Sequence, residues 1–128
     1  MARKIEYGLT GTVTMADGTV EEVRVRAATG VIDRFLGLMG QRRVEPGTAL
    51  VFPRCTSIHC FWMRTPVDVV WLGAPDDEGR CTVMSLTRAL ATWRLDFGPR
   101  GSWGVAELAP GTFRETPKQL ACKALAGK

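Results

Sequence analysis

Hydrophobic and polar positions alternate along much of this chain, and the alternation predicts a mainly β protein. Residues 7–15 are rich in Thr and Val, and Ala16-Asp17-Gly18 supplies a turn in which Asp-Gly tolerates positive φ. Val20, Val23 and Val25 then fall in a second strand, with Arg24 and Arg26 alternating outward. Glu21-Glu22 breaks that alternation and marks a candidate bulge. The period changes over residues 29–39, where Ile32, Phe35, Leu36 and Met39 share one helical face. Thr29 is the candidate N-cap of that short helix, and Gly40 is its natural stop.

Strands return after the Glu45-Pro46-Gly47 turn. Residues 49–52 form an apolar run closed by Pro53, and residues 58–63 form another candidate strand. Residues 67–72 are apolar throughout except for Asp68, the pattern of a strand buried on both faces. A Pro- and Gly-containing acidic turn over residues 74–80 leads to a returning strand over 81–86, a second hairpin. Residues 89–101 read as a loop that packs aromatics onto the core, and residues 103–108 as a last strand. A C-terminal helix is expected near residues 116–126: Thr116 would cap it, Pro117 would open it, and Gly127 would follow its end. Short strands with two small helices predict a sandwich or jelly-roll-like barrel.

The 128 residues suit one domain over 1–128, long enough to bury a core without metal or disulfide staples. The net charge of +4 is spread along the chain, not gathered into a stripe, so nucleic acid is not the expected partner. No apolar window is long enough for a membrane span, and the first residues lack the apolar core of a secretory signal. A cytoplasmic protein is therefore expected, with no membrane partner. In that compartment Cys55, Cys60, Cys81 and Cys122 are expected as free thiols. The Cys55-x-x-x-His59-Cys60 cluster lacks the second ligand pair of a structural zinc site. No metal and no cofactor are expected. Oligomeric state leaves no mark in the sequence.

Three polar residues stand out. A carboxylate at Asp68, inside an apolar strand, demands partners, and Arg64 or Arg34 are the expected ones. Such a pair either ties the fold together or floors a polar pocket whose guanidinium suits a carboxylate or phosphate. His59, the sole histidine, shares a strand face with Phe61 and Met63. Glu107, between Ala106 and Leu108, reads as an outward residue. Trp62, Trp71, Trp93 and Trp103 read as core or core edge. No nucleophile elbow or Gly-rich phosphate loop accompanies them.

Arg34-Phe35-Leu36-Gly37-Leu38-Met39, the His59-x-Phe61-x-Met63-Arg64-x-Pro66-x-Asp68-Val69 core and the Ala106-Glu107-Leu108-x-x-Gly111 stretch carry a family resemblance. In order and spacing they resemble the conserved bacterial and archaeal family classed as domain of unknown function 192, over about residues 20–113. The resemblance implies a small, mostly β domain of sandwich or jelly-roll type and no agreed activity, substrate or cofactor. Here Val105-Ala106 stands before Glu107 where the family commonly has Leu, and the expected helix after Thr116 lies outside the common pattern.

Two function classes follow. The first is a non-catalytic binding module with an Arg/Asp polar spot for a small molecule or peptide. Its candidate contacts are Arg34, His59, Met63, Arg64, Asp68 and Glu107. The alternative is a small hydrolase- or lyase-like enzyme using His59 with Asp68 or Glu107. The exposure of His59 and Asp68 discriminates between them: if both are buried and paired, the enzyme reading loses most of its support.

Overall fold

The structure, a computed structural model, describes residues 5–29, 44–59, 66–91 and 95–128. The expected helix over 29–39 falls, apart from Thr29, outside the described residues, as do Arg34, Met63 and Arg64. Among the described residues the strands are β1 (Leu9–Thr14), β2 (Val20–Ala27), β3 (Thr48–Phe52), β4 (Ser57–His59), β5 (Val67–Leu72), β6 (Arg80–Leu90), β7 (Leu95–Phe97), β8 (Gly104–Leu108) and β9 (Gln119–Ala121). Seven of them close a barrel in the order β1-β2-β3-β8-β5-β6-β9, and β4 and β7 form a separate antiparallel pair. The mainly β expectation holds, in its barrel form. No helix among the described residues is long and apolar enough to cross a membrane.

Sequence pattern explains which part of the wall is buried on one face and which on two. In β2 exposed and buried residues alternate from Glu22 to Val25, as in a strand with one wet face. Every residue of β3, β5 and β8, three neighbours in the wall, is buried. One face of these strands feeds the barrel interior, where Ala49, Val51, Val70, Leu72, Ala106 and Leu108 meet Val13, Val25 and Leu120. The other face forms an outer apolar layer: Leu50, Phe52, Val67, Val69, Trp71 and Val105, joined by Ile58 of β4.

Three expectations are corrected. Glu21 and Glu22 make no bulge: they pair in unbroken register with Val13 and Thr12, and both are exposed. Residues 95–97 do not pack their large apolar side chains onto the core. They form β7, with Leu95 and Phe97 55% and 66% exposed. The reason is Asp96, whose carboxylate turns inward to accept hydrogen bonds from Trp71 Nε1 (2.8 Å) and Thr87 Oγ1 (2.9 Å). Alternation then sends its neighbours outward.

The helix expected over 116–126 is replaced by β9 and a 3-10 turn, Lys123–Leu125. Here sheet closure outweighs local capping signals. Leu120 pairs with Val13 of β1 and with Cys81 of β6, so β9 satisfies the open edges of two strands at once. A helix in its place would leave both rows of backbone groups unpaired. Beside this seam Gly79, at φ +79°, lets the chain pass so close that a Cβ would fall 2.0 Å from the Cys122 carbonyl oxygen.

Candidate functional site

Strands β5 and β8 lie side by side in antiparallel register, with Asp68 opposite Leu108 and Val69 opposite Glu107. Strict alternation therefore places Asp68 and Glu107 on opposite faces of one wall. Asp68 shares its face with Val70 and Leu72 of the barrel interior, and Glu107 shares its face with Val105 of the outer layer.

Asp68 is fully buried. Its Oδ1 accepts a hydrogen bond from the Ala89 amide at 2.8 Å, and its Oδ2 one from the Thr112 amide at 3.1 Å. Both donors sit where the backbone turns sharply. Ala89 has φ +47°, beside an irregularity in the β5–β6 pairing, and Thr112 follows Gly111 at φ +80°. The carboxylate thus satisfies the Ala89 amide and reinforces that of Thr112, which also donates to the Ala109 carbonyl at 3.3 Å. Arg34 and Arg64, its expected partners, lie outside the described residues.

Glu107 is 4% exposed and lies between Leu50 of β3 and Val69 of β5, its direct neighbours in register. It does point away from the barrel interior, but the outer layer buries it, which corrects the reading of an ordinary outward residue. Among the described residues nothing donates a hydrogen bond to its carboxyl or pairs with it as a cation. Burial alone pushes its pKa up from 4.5 to about 8. At neutral pH it is mostly the uncharged acid, with one O–H donor and one carbonyl acceptor.

His59 ends β4, where its backbone pairs with Leu95. Trp71, expected in the core, is 1% exposed. Asp96 is the polar residue that sequence reasoning missed. Its only signal was a carboxylate alternating between Leu95 and Phe97. Cys55, Cys81 and Cys122 are free thiols, and burial, with Asp76 and Cys122 nearby, pushes Cys81 up to about 12, where it stays protonated. Among the described residues no three His, Cys, Asp or Glu side chains converge as a metal-binding group would. A groove of about 490 Å³ lies between the β1–β2 turn and the segment after β8, lined by residues including Asp17, Glu21, Thr112, Arg114 and Glu115. Its carboxylates are exposed and solvated.

The family model for domain of unknown function 192 (DUF192), described as an uncharacterized ACR, matches residues 12–118. The chain belongs to the DUF192 family. Two solved structures share the DUF192 chain's fold. One, from Sinorhizobium meliloti 1021, is described as a "putative transcription regulator"; it is 18% identical with a TM-score of 0.76, covering 96% of this chain and 100% of that one. The other, a protein of unknown function from Novosphingobium aromaticivorans DSM 12444, is 17% identical with a TM-score of 0.68, covering 86% of this chain and 82% of that one. At such identities the likeness speaks for the fold alone. No curated protein matches the chain.

Proposed function

We propose that this DUF192 protein is a non-catalytic binding module for a small molecule or peptide, and that its polar contact is Glu107 in the outer layer over β3, β8 and β5. The observation that carries the reading is the setting of Glu107, a residue 4% exposed between Leu50 and Val69, whose carboxyl is pushed by burial toward the uncharged acid. A polar group in an apolar layer is costly to bury, and a ligand that hydrogen-bonds it would offset that cost. Asp68 does not contribute to this contact, because both its oxygens hold backbone amides and it faces the barrel interior. The two carboxyls therefore cannot act on one substrate as an acid–base pair.

A screen of small polar molecules and short peptides against 15N-labelled protein tests the proposal. Ligands should shift the amide signals of Leu50, Val69 and Ala106–Leu108, and Glu107→Leu should abolish those shifts. Binding confined to the groove around Asp17 and Glu115 would overturn it. The enzyme alternative retains one specific support: an acid whose pKa near 8 suits proton transfer at neutral pH. Turnover of any ester, amide or glycoside that disappears in Glu107→Gln would favour that alternative.

A further inference from the structure

Strand β2 pairs with β1 from Val20 to Val25 but with β3 only from Arg24 onward. Among the described residues, Val20 to Val23 therefore have a strand on one side and none on the other. The Arg24 amide donates to the Gly47 carbonyl at 2.9 Å, on the β3 side. The two-residue period of a strand then directs the N–H and C=O groups of Val20 and Glu22 to that same side. Both residues are exposed, Val20 by 58%, so this stretch of edge is open to solvent. An open edge is a template for an added strand.

We infer that this edge takes up an extended basic peptide as an added antiparallel strand. Charge selects the occupant. Val23 and Val25 point into the barrel interior, so alternation puts Glu21 on the same face, before β3 begins. There it lines the groove of about 490 Å³ whose far wall is Thr112, Arg114 and Glu115. The described lining holds three carboxylates, Asp17, Glu21 and Glu115, against one guanidinium, Arg114, in a chain of net charge +4. A local field opposite in sign to the whole molecule draws cations to this groove. Its far wall is pinned in place. Asp68 accepts from the Thr112 amide, and Arg88 donates to the carbonyls of Phe113 and Arg114. A preformed wall spares the ligand the cost of ordering it.

The register sets the pattern of the peptide. Residues opposite Val20 and Glu22 exchange the backbone hydrogen bonds and share their outer face, while the residues between them face the groove. Lys or Arg at every second position then meets the carboxylates, and apolar residues in between pack on Val20. A second copy of this chain suits the edge less well, because two such edges would set Glu21 and Glu22 against their own kind.

The acetylated and amidated peptide Lys-Val-Lys-Val-Lys, titrated into 15N-labelled protein at low salt, is the probe. It should shift the amide signals of residues 20–23 and 112–115 and slow hydrogen exchange at Val20 and Glu22. Replacing its valines by prolines keeps the charge and removes the amides that would pair with β2. That peptide should bind about tenfold more weakly. Glu-Val-Glu-Val-Glu should not bind. Glu21→Lys combined with Glu115→Lys, both at exposed positions, should weaken the basic peptide about tenfold or more.

Equal binding of the proline peptide would overturn strand addition. Equal binding of the acidic peptide, or undiminished binding by the double variant, would overturn the charge argument. If the basic peptide leaves the β2 signals in place, the inference falls outright. Slow exchange at Val20 and Glu22 without peptide, together with a doubled mass in sedimentation, would assign the edge to a second copy instead. The Glu107 reading is tested separately, by ligands that shift β8.

Discussion

Asp68 and Glu107 are two carboxyls on neighbouring strands, one register step apart, and the protein treats them in opposite ways. Asp68 faces the barrel interior and takes an amide hydrogen bond on each oxygen. Glu107 faces the outer layer, and its described surroundings are hydrocarbon. Both are more than nine-tenths buried, so burial does not distinguish them. What differs is whether the fold itself supplies the partners. A buried carboxylate that fixes two turns is an anchor. A buried carboxyl in an apolar layer is a cost to the fold, tolerable where something else is to be held there.

The sharpest way to break this contrast is Asp68→Ala. It strands the amide of Ala89, at about 1–3 kcal/mol for an unsatisfied donor, and leaves that of Thr112 with only its 3.3 Å bond to the Ala109 carbonyl. Together these losses should lower stability by roughly 2–4 kcal/mol and the melting temperature by about 6 °C or more. Asp68→Asn, which keeps one acceptor, should lose about half as much. A parent-like melting curve for Asp68→Ala would remove its role as an anchor.

Glu107 should make the stability of the fold depend on pH. Its pKa is raised on folding from 4.5 to about 8, so between these values the folded chain holds a proton that the unfolded chain has released. Its contribution to stability is fully present below pH 4.5 and is lost as the pH rises to 8, with a slope of at most about 1.4 kcal/mol per pH unit. Urea unfolding of the parent and Glu107→Gln at pH 5 and 8 isolates the effect, because every other titrating group is common to both. The parent should lose about 3 kcal/mol relative to the variant across that interval. Parallel curves would mean that Glu107 ionises as freely in the folded chain as in the unfolded one.

Asp96 offers an intermediate case, half-buried and held by two side-chain donors. Trp71→Phe removes one of them and should cost about 1–2 kcal/mol, with faster hydrogen exchange in β7 than in β8. Phe97→Ser, at a side chain 66% exposed, supplies the smallest effect, within about 0.5 kcal/mol in chemical denaturation. A larger loss there would show that the exposed face of β7 contributes to the fold.

The sequence made the wall legible and its partners illegible. The run Val67–Leu72 announced a strand buried on both faces, and the burial of Asp68 followed from that setting. Its actual donors are main-chain amides 21 and 44 residues away, which no side-chain pattern marks. Glu107 was placed on the correct face by alternation, but the layer that covers that face comes from pairing across β3, β8 and β5, which is non-local. The run Gly104–Leu108 held the missed clue, since apart from Glu107 it is as free of polar side chains as β5. Thr116, Pro117 and Gly127 looked like helix punctuation. The need of two distant strand edges for one partner decided otherwise.

The seam closed by β9 also has a temporal meaning. Because β9 joins β1, at the start of the barrel, to β6, the wall is incomplete until Gln119–Ala121 have emerged during synthesis. The hairpins β1–β2 and β5–β6 can form early, since each joins strands adjacent in the chain. Until the last strand arrives, however, β1 and β6 both present open edges, each a template for pairing with another chain. Long-range closure of this kind is slow, and the waiting intermediate is the species most exposed to aggregation. Pulsed hydrogen exchange during refolding should accordingly protect β5–β6 amides before those of β9, and a nascent chain stalled short of Gln119 is the form in which this barrel most needs a chaperone.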